Sequence, residues 1–171
     1  IGFDSISDDI LKHLVIARLS QPMSKASTVD YLKSYFDEDV QLHNIYRYLD
    51  KLHNTQQDKI QQLSVEHTRK ILGGKIGLMF YDVTTLYFES DYSDDFRETG
   101  FSKDGKHHQP QIMIGLLVSA QGFPIGYQIF EGNTSETKTL IPVLEAFQEK
   151  FDTDKPVIVA DAAMLSQKNI D

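Results

Sequence analysis

Two aspartates stand where aspartates are costly. Asp82 lies inside FYDVTTLYF (residues 80–88), where the other eight residues are apolar, aromatic or threonine. Asp161 ends VIVAD (157–161), after four apolar residues. Taking a carboxylate out of water costs several kcal/mol unless it is paired or meets a cation. Asp82 is expected to be buried in the middle of its strand. If the two strands are parallel neighbours, both carboxylates emerge near one point of a sheet. Hard divalent cations such as Mg²⁺ or Mn²⁺ take one or two carboxylates, with waters and phosphate oxygens completing the shell. Two such ions about 3.5–4 Å apart serve phosphodiester chemistry. The ordinary alternatives are a loop ion pair for Asp82 and a helix N-cap for Asp161, just before AAMLS.

The elements that must position these residues follow from a change of period. Residues 1–75 read as helical. Ser7-Asp8-Asp9 caps a helix with Ile10, Leu11, Leu14 and Val15 on one face. Pro22 and Ser24 break the chain, and Val29, Leu32 and Phe36 are spaced for a second helix. Leu42, Ile45, Tyr46, Leu49 and Leu52 form the clearest helical stripe. A more polar helix over 56–72 runs through Ile60, Leu63 and Ile71 and closes on Gly73-Gly74. This region is either a helical packing domain or a helix-turn-helix-like DNA-binding segment. In the second case the 41–52 helix is the reader, with Arg47 and Lys51 as its cations.

From residue 76 the pattern is that of strands. Residues 76–90 hold one or two strands, 112–120 a buried strand, and 123–130 its hairpin return across Gln121-Gly122. An amphipathic helix over 136–150 carries Leu140, Val143, Leu144 and Phe147, and VIVA is a last short strand. The order β-β-β-α-β predicts a mixed α/β sheet, with the last strand able to return parallel to the first.

Composition narrows the class. The chain has 171 residues and no cysteine, which excludes disulfides and thiolate metal sites and fits a cytoplasmic protein. It has no membrane-length apolar run. It starts at Ile1 and stops at NID just after a strand, so a piece of a longer protein is expected. The net charge of −8 is unevenly placed: residues 1–75 carry ten Lys/Arg and ten Asp/Glu, and residues 76–171 carry seven and fifteen. The chain lacks the overall basic patch of a tight nonspecific DNA binder. Its densest basic group is the polar loop SKDGKHH, where Lys103, Lys106, His107 and His108 read either as a solvated connection or as a DNA-backbone contact. Adjacent strand residues face opposite ways, which disfavours His107-His108 as a metal pair. Gly132-Asn133 makes the turn into the following helix.

Three blocks together carry a family resemblance: YDVTTLYFE (81–89), GFSKDGKHHQPQIMIGLLVSAQGFPIGYQIFEGNTSE (100–136) and VIVADAAMLS (157–166). In this order they resemble DDE transposases of the IS4 type, nearest the IS1634-like group, over roughly residues 76–166. The resemblance implies an RNase H-like core, here incomplete, and a helical N-terminal region over 1–75. It makes Asp82 the first catalytic, metal-binding aspartate and Asp161 the second. It gives Thr84 and Asn133 supporting roles. It also implies two Mg²⁺ or Mn²⁺ ions in the complete enzyme, transposon-end and target DNA as partners, and a dimer. Ala162-Ala163 stands where the family has Gly or Arg. The family's catalytic glutamate lies downstream of the second aspartate, in a helix with a Tyr-Arg-Glu-Lys signature. Glu89, Glu131 and Glu136 precede Asp161 and cannot fill that place. The chain alone is therefore expected to be catalytically incompetent. The alternatives are an RNase H-like metal-dependent nuclease and an inactive remnant serving as a DNA-binding or structural module.

Overall fold

The computed structural model describes residues 1–89, 92–101, 105–106, 108–151 and 156–164. The chain divides into two compact units, residues 1–63 and 64–171.

The first unit is helical. α1 (Asp9–Ser20) starts where Asp8 caps it, Oδ1 accepting from the Ile10 amide at 3.2 Å. α2 (Lys25–Phe36) starts at Ser24, whose hydroxyl accepts from the Ser27 amide at 3.1 Å. α3 (Leu42–Lys51) runs into one π-helical turn (Leu52–Gln56) and then into α4 (Gln57–Ile71). Leu11, Ala17, Leu32, Ile45 and Tyr48 form the buried interior. The inward aromatic of α3 is Tyr48 at 3% exposure, whereas Tyr46, expected in the stripe, is 53% exposed. At 100° per residue, position 48 lies about 60° around the axis from the buried Ile45, whereas 46 lies about 100° from it on the other side. α4 ends as its glycines dictate. Gly73 has φ 76° and Gly74 φ 108°, and the Gly74 amide donates to Arg69 O at 2.7 Å. That is the left-handed closure which a side chain disfavours.

The second unit is a four-stranded sheet of β1 (Leu78–Tyr87), β2 (Gln111–Ser119), β3 (Pro124–Glu131) and β4 (Val157–Ala160), in spatial order β3-β2-β1-β4. β1-β2 and β2-β3 are antiparallel, and β1-β4 is parallel. Both the mixed α/β class and the parallel return agree with the expectation. Residues 76–90 hold one strand rather than two. The helix expected over 136–150 is split into a 3-10 turn (Glu136–Lys138) and α5 (Leu140–Phe151). Thr139 separates them, with its hydroxyl turned back to Glu136 O at 2.7 Å.

α5 covers one face of the sheet. Leu140, Val143, Phe147 and Phe151 pack with Met79, Tyr81, Leu117 and Ile125. Two glycines make this packing possible. A Cβ on Gly115 would overlap the Tyr81 hydroxyl, and one on Gly126 would lie 3.0 Å from the Phe147 ring. Arg69 Nη2 donates to Phe151 O at 2.6 Å, placing a cation on the last carbonyls of α5.

Candidate active site

β1 alternates. Met79 and Tyr81 point into the α5 core, while Phe80, Asp82, Thr84 and Leu86 point the other way and are exposed. The expectation that Asp82 is buried is therefore corrected: it sits mid-strand but on the open face. Strand composition reports that a residue lies in a sheet, and parity decides on which side. On the open side a carboxylate keeps its water, so the desolvation cost that singled it out is small.

The parallel register brings the second aspartate to it. Phe80 pairs with Val159 and Tyr81 with Ala160. Asp82 and Asp161 come next on their chains, side by side at the point where β4 ends. By alternation from Val157 and Val159, Asp161 shares the face of Phe80 and Asp82. Asp161 is exposed. Asp82 Oδ1 accepts from the Val83 amide at 2.8 Å, which orients the carboxylate. Among the described residues neither aspartate is in an ion pair. The Asp161 backbone carbonyl accepts from the Met164 amide at 2.9 Å in a 3-10 turn (Ala162–Met164). Thr84 lies two residues beyond Asp82 on the same face.

Two adjacent, unpaired, water-facing carboxylates fit a hard divalent cation, which takes its remaining ligands from water and substrate. Among the described residues no cluster of three or more His, Asp or Glu forms a larger donor set. Behind Asp82, burial pushes the Tyr81 phenol up, the nearby Thr139 hydroxyl opposes this, and the Asp82 charge adds to it. Among the described residues no well-aligned hydrogen bond reaches the Tyr81 hydroxyl.

The other sequence-predicted residues lie elsewhere. Lys106 is exposed, with Nζ 5.1 Å from the centre of the Tyr87 ring, five residues past Asp82 along β1. His108 is exposed in a turn, and Asn133 is exposed in the turn after β3, at the same end of the sheet as Tyr87. Lys103 and His107 lie outside the described residues. Asp82, Asp161 and Thr84 are thus brought together, and Lys106, His108 and Asn133 are not brought to them. In the helical unit Lys51 is committed to Asp8 at 2.7 Å, so the outward cation of α3 is Arg47.

One junction went unread in the sequence. Gln111 is 1% exposed, and its Nε2 donates to Gly132 O at 2.7 Å and to Phe101 O at 3.2 Å. A Cβ on Gly100 or Gly132 would overlap the backbone there. The available signal was a glutamine at the mouth of an apolar strand, flanked in sequence by glycine-bearing loops.

No curated protein matches the chain. Among solved structures, the chain is similar to one described as the Mos1 transposase paired-end complex with left transposon end. The identity is 12% and the TM-score 0.35, covering 92% of this chain and 53% of that one. A second, described as the crystal structure of the mariner Mos1 paired end complex with Mg, gives 12% identity and a TM-score of 0.36, covering 94% and 54%. The chain thus spans about half the length of these solved chains, and likenesses this remote transfer no residue and no activity. The family description "Transposase DDE domain" matches residues 73–171, more than half of the chain and every strand of the sheet; the chain belongs to the transposase DDE domain family.

Proposed function

We propose that this chain carries the first two metal-binding carboxylates of an IS4-type transposase, in an RNase H-like core that acts on transposon ends and target DNA. The observation that supports it is the parallel register of β1 and β4, which sets Asp82 and Asp161 side by side on one open face. Asp82 and Asp161 would hold Mg²⁺ or Mn²⁺. When bound, such ions activate an attacking oxygen and stabilise a leaving one in phosphodiester cleavage and transfer.

The chain's own residues supply position. The Val83 amide holds Asp82 Oδ1, so the carboxylate presents its other oxygen to the open side. The strand pairing sets the spacing of the two carboxylates before any ligand arrives, which removes reorganisation from the binding step. Thr84 offers a hydroxyl on the same face. A DDE site needs a third acidic residue, and the described residues add none to this pair. We propose that the chain by itself binds a cation without cutting DNA. In the parent enzyme we place the helical region at the DNA ends and the active form as a dimer.

The test is a thermal melt with increasing Mg²⁺ or Mn²⁺. A ligand that binds only the folded state raises the midpoint in step with the logarithm of its concentration. The midpoint should climb for the native chain and stay flat for Asp82→Asn and Asp161→Asn. Equal shifts in all three would remove the aspartates from the site. Metal-dependent strand cleavage by this chain, abolished in Asp82→Ala, would show that the third carboxylate is dispensable.

A further inference from the structure

The helical unit holds a cavity that the proposed chemistry does not use. About 480 Å³ of space lies between α1, the start of α2 and the end of α3. Leu11, Ala17 and Thr28 line it from the buried side, and Leu49 adds a half-buried wall. Leu19 lines it too, yet is 82% exposed, so its isobutyl group stands in water at the edge of an apolar hollow. Ligand pockets have volumes of about 300–1,000 Å³, apolar walls and a few polar groups that orient the ligand. Here the charged groups are both cations. Arg18 and Lys25 line the cavity, and among the described residues no carboxylate does. Among the described residues neither cation is in an ion pair. Lys25 is the first residue of α2, the end at which the helix dipole disfavours a cation, so its charge does not serve its own helix.

We propose that this cavity binds a small linear amphiphile with one anionic head, a free medium-chain carboxylate. The alkyl tail lies among the leucines, and the carboxylate meets Arg18 and Lys25. Shape favours a linear chain over a peptide helix. From Leu11 to Leu19, α1 rises about 12 Å at 1.5 Å per residue. Spread over that length, a volume of about 480 Å³ gives a cross-section of about 40 Å², too narrow for a helix about 10 Å across. Charge favours an anionic head, because a cationic head would meet two like charges and a neutral one would leave both cations without a partner. The tail supplies affinity through the apolar area it removes from water, and the head sets its direction. The site lies wholly within residues 1–63 and does not depend on the pair of aspartates.

The test is isothermal titration of the intact chain with decanoate, octanoate, decanol and decyltrimethylammonium, each below the concentration at which it forms micelles. Decanoate should bind saturably at one site per chain. Each methylene is worth about fourfold in affinity, so octanoate should bind about fifteenfold more weakly. Decanol should bind more weakly than decanoate, and decyltrimethylammonium should not bind. Arg18→Gln and Lys25→Gln should each weaken decanoate about threefold, as expected for an ion pair open to water, and leave decanol unchanged. Leu19→Ser should weaken decanoate and decanol alike with the thermal midpoint unchanged, since that side chain already meets water. Equal affinity for decanoate and decyltrimethylammonium, affinity unmoved by all three substitutions, or no saturable binding would overturn the proposal. So would a leucine-rich acidic peptide that binds, is weakened by the two charge substitutions and is not displaced by decanoate, because it would assign the cavity to a protein segment.

Discussion

Asp82 and Tyr81 are adjacent on β1 and face opposite sides of the sheet, so one meets water and the other meets α5. Tyr81 in turn sets a demand on Gly115, its diagonal neighbour on β2, which pairs with Val83. Its ring occupies the space that a side chain at position 115 would fill. Gly115→Ala should destabilise the second unit by about 1–3 kcal/mol, the usual cost of overpacking, read as a lower urea midpoint. Gln111 makes the complementary case, in which a polar group is needed. Gln111→Ala leaves Gly132 O and Phe101 O without their side-chain donor, and a buried unpaired acceptor costs about 1–3 kcal/mol. That loss should appear in the same urea titration. Position 111 was legible only as the residue before a strand expected over 112–120, because its two partners lie ten and twenty-one residues away along the chain.

At the scale of elements, the junction of α3 and α4 holds most of what the helical pattern did not announce. The π-helical turn at Leu52–Gln56 adds a residue to one turn of an otherwise regular run. Tyr48 spans it, donating to Gln56 Oε1 at 2.8 Å. Burial, with the nearby Asp8 charge adding to it, pushes the Tyr48 phenol up to about 12. A raised folded-state value favours the neutral phenol, so its contribution to stability is full below about pH 10, where the unfolded tyrosine titrates. It is lost as pH rises from about 10 to about 12. The urea midpoint should fall across that window, and Tyr48→Phe should reduce the fall while lowering the midpoint at neutral pH. The first cap was read from the sequence, within Ser7-Asp8-Asp9, whereas Ser24 was legible only as a break. Asp8 and Ser24 cap α1 and α2 because short oxygen-bearing side chains meet free amides there. Ser24→Ala should cost about 1 kcal/mol, measured in the same way.

Over the whole molecule, charge separates the two regions. The balanced residues 1–75 precede a region holding the entire −8, and that region contains Asp82 and Asp161. No helix among the described residues is long and apolar enough to cross a membrane. With most of its negative charge in the domain proposed to act on DNA, the chain should bind random duplex weakly. In a gel shift at about 0.15 M salt no complex should form below about 10⁻⁶ M protein. Mg²⁺ should strengthen what binding there is, by removing repulsion at the carboxylates. A tight, metal-independent complex would instead point to the helical unit as the dominant DNA contact, through residues such as Arg47.

Local order was decided by the sequence: helices from their period and caps, strands from β-branched and aromatic runs, and the β-β-β-α-β succession from the spacing of turns. The two aspartates were visible as charges in apolar surroundings. Tertiary structure alone decided how β1 and β4 pair and which parity of β1 faces α5. Pairing β1 with β4 placed Asp161 beside Asp82. Parity turned Asp82 to the open side and left an apolar surface there. Those outcomes depend on long-range contacts between residues about eighty positions apart. A strand with apolar residues on both faces has the same local sequence whichever face is covered.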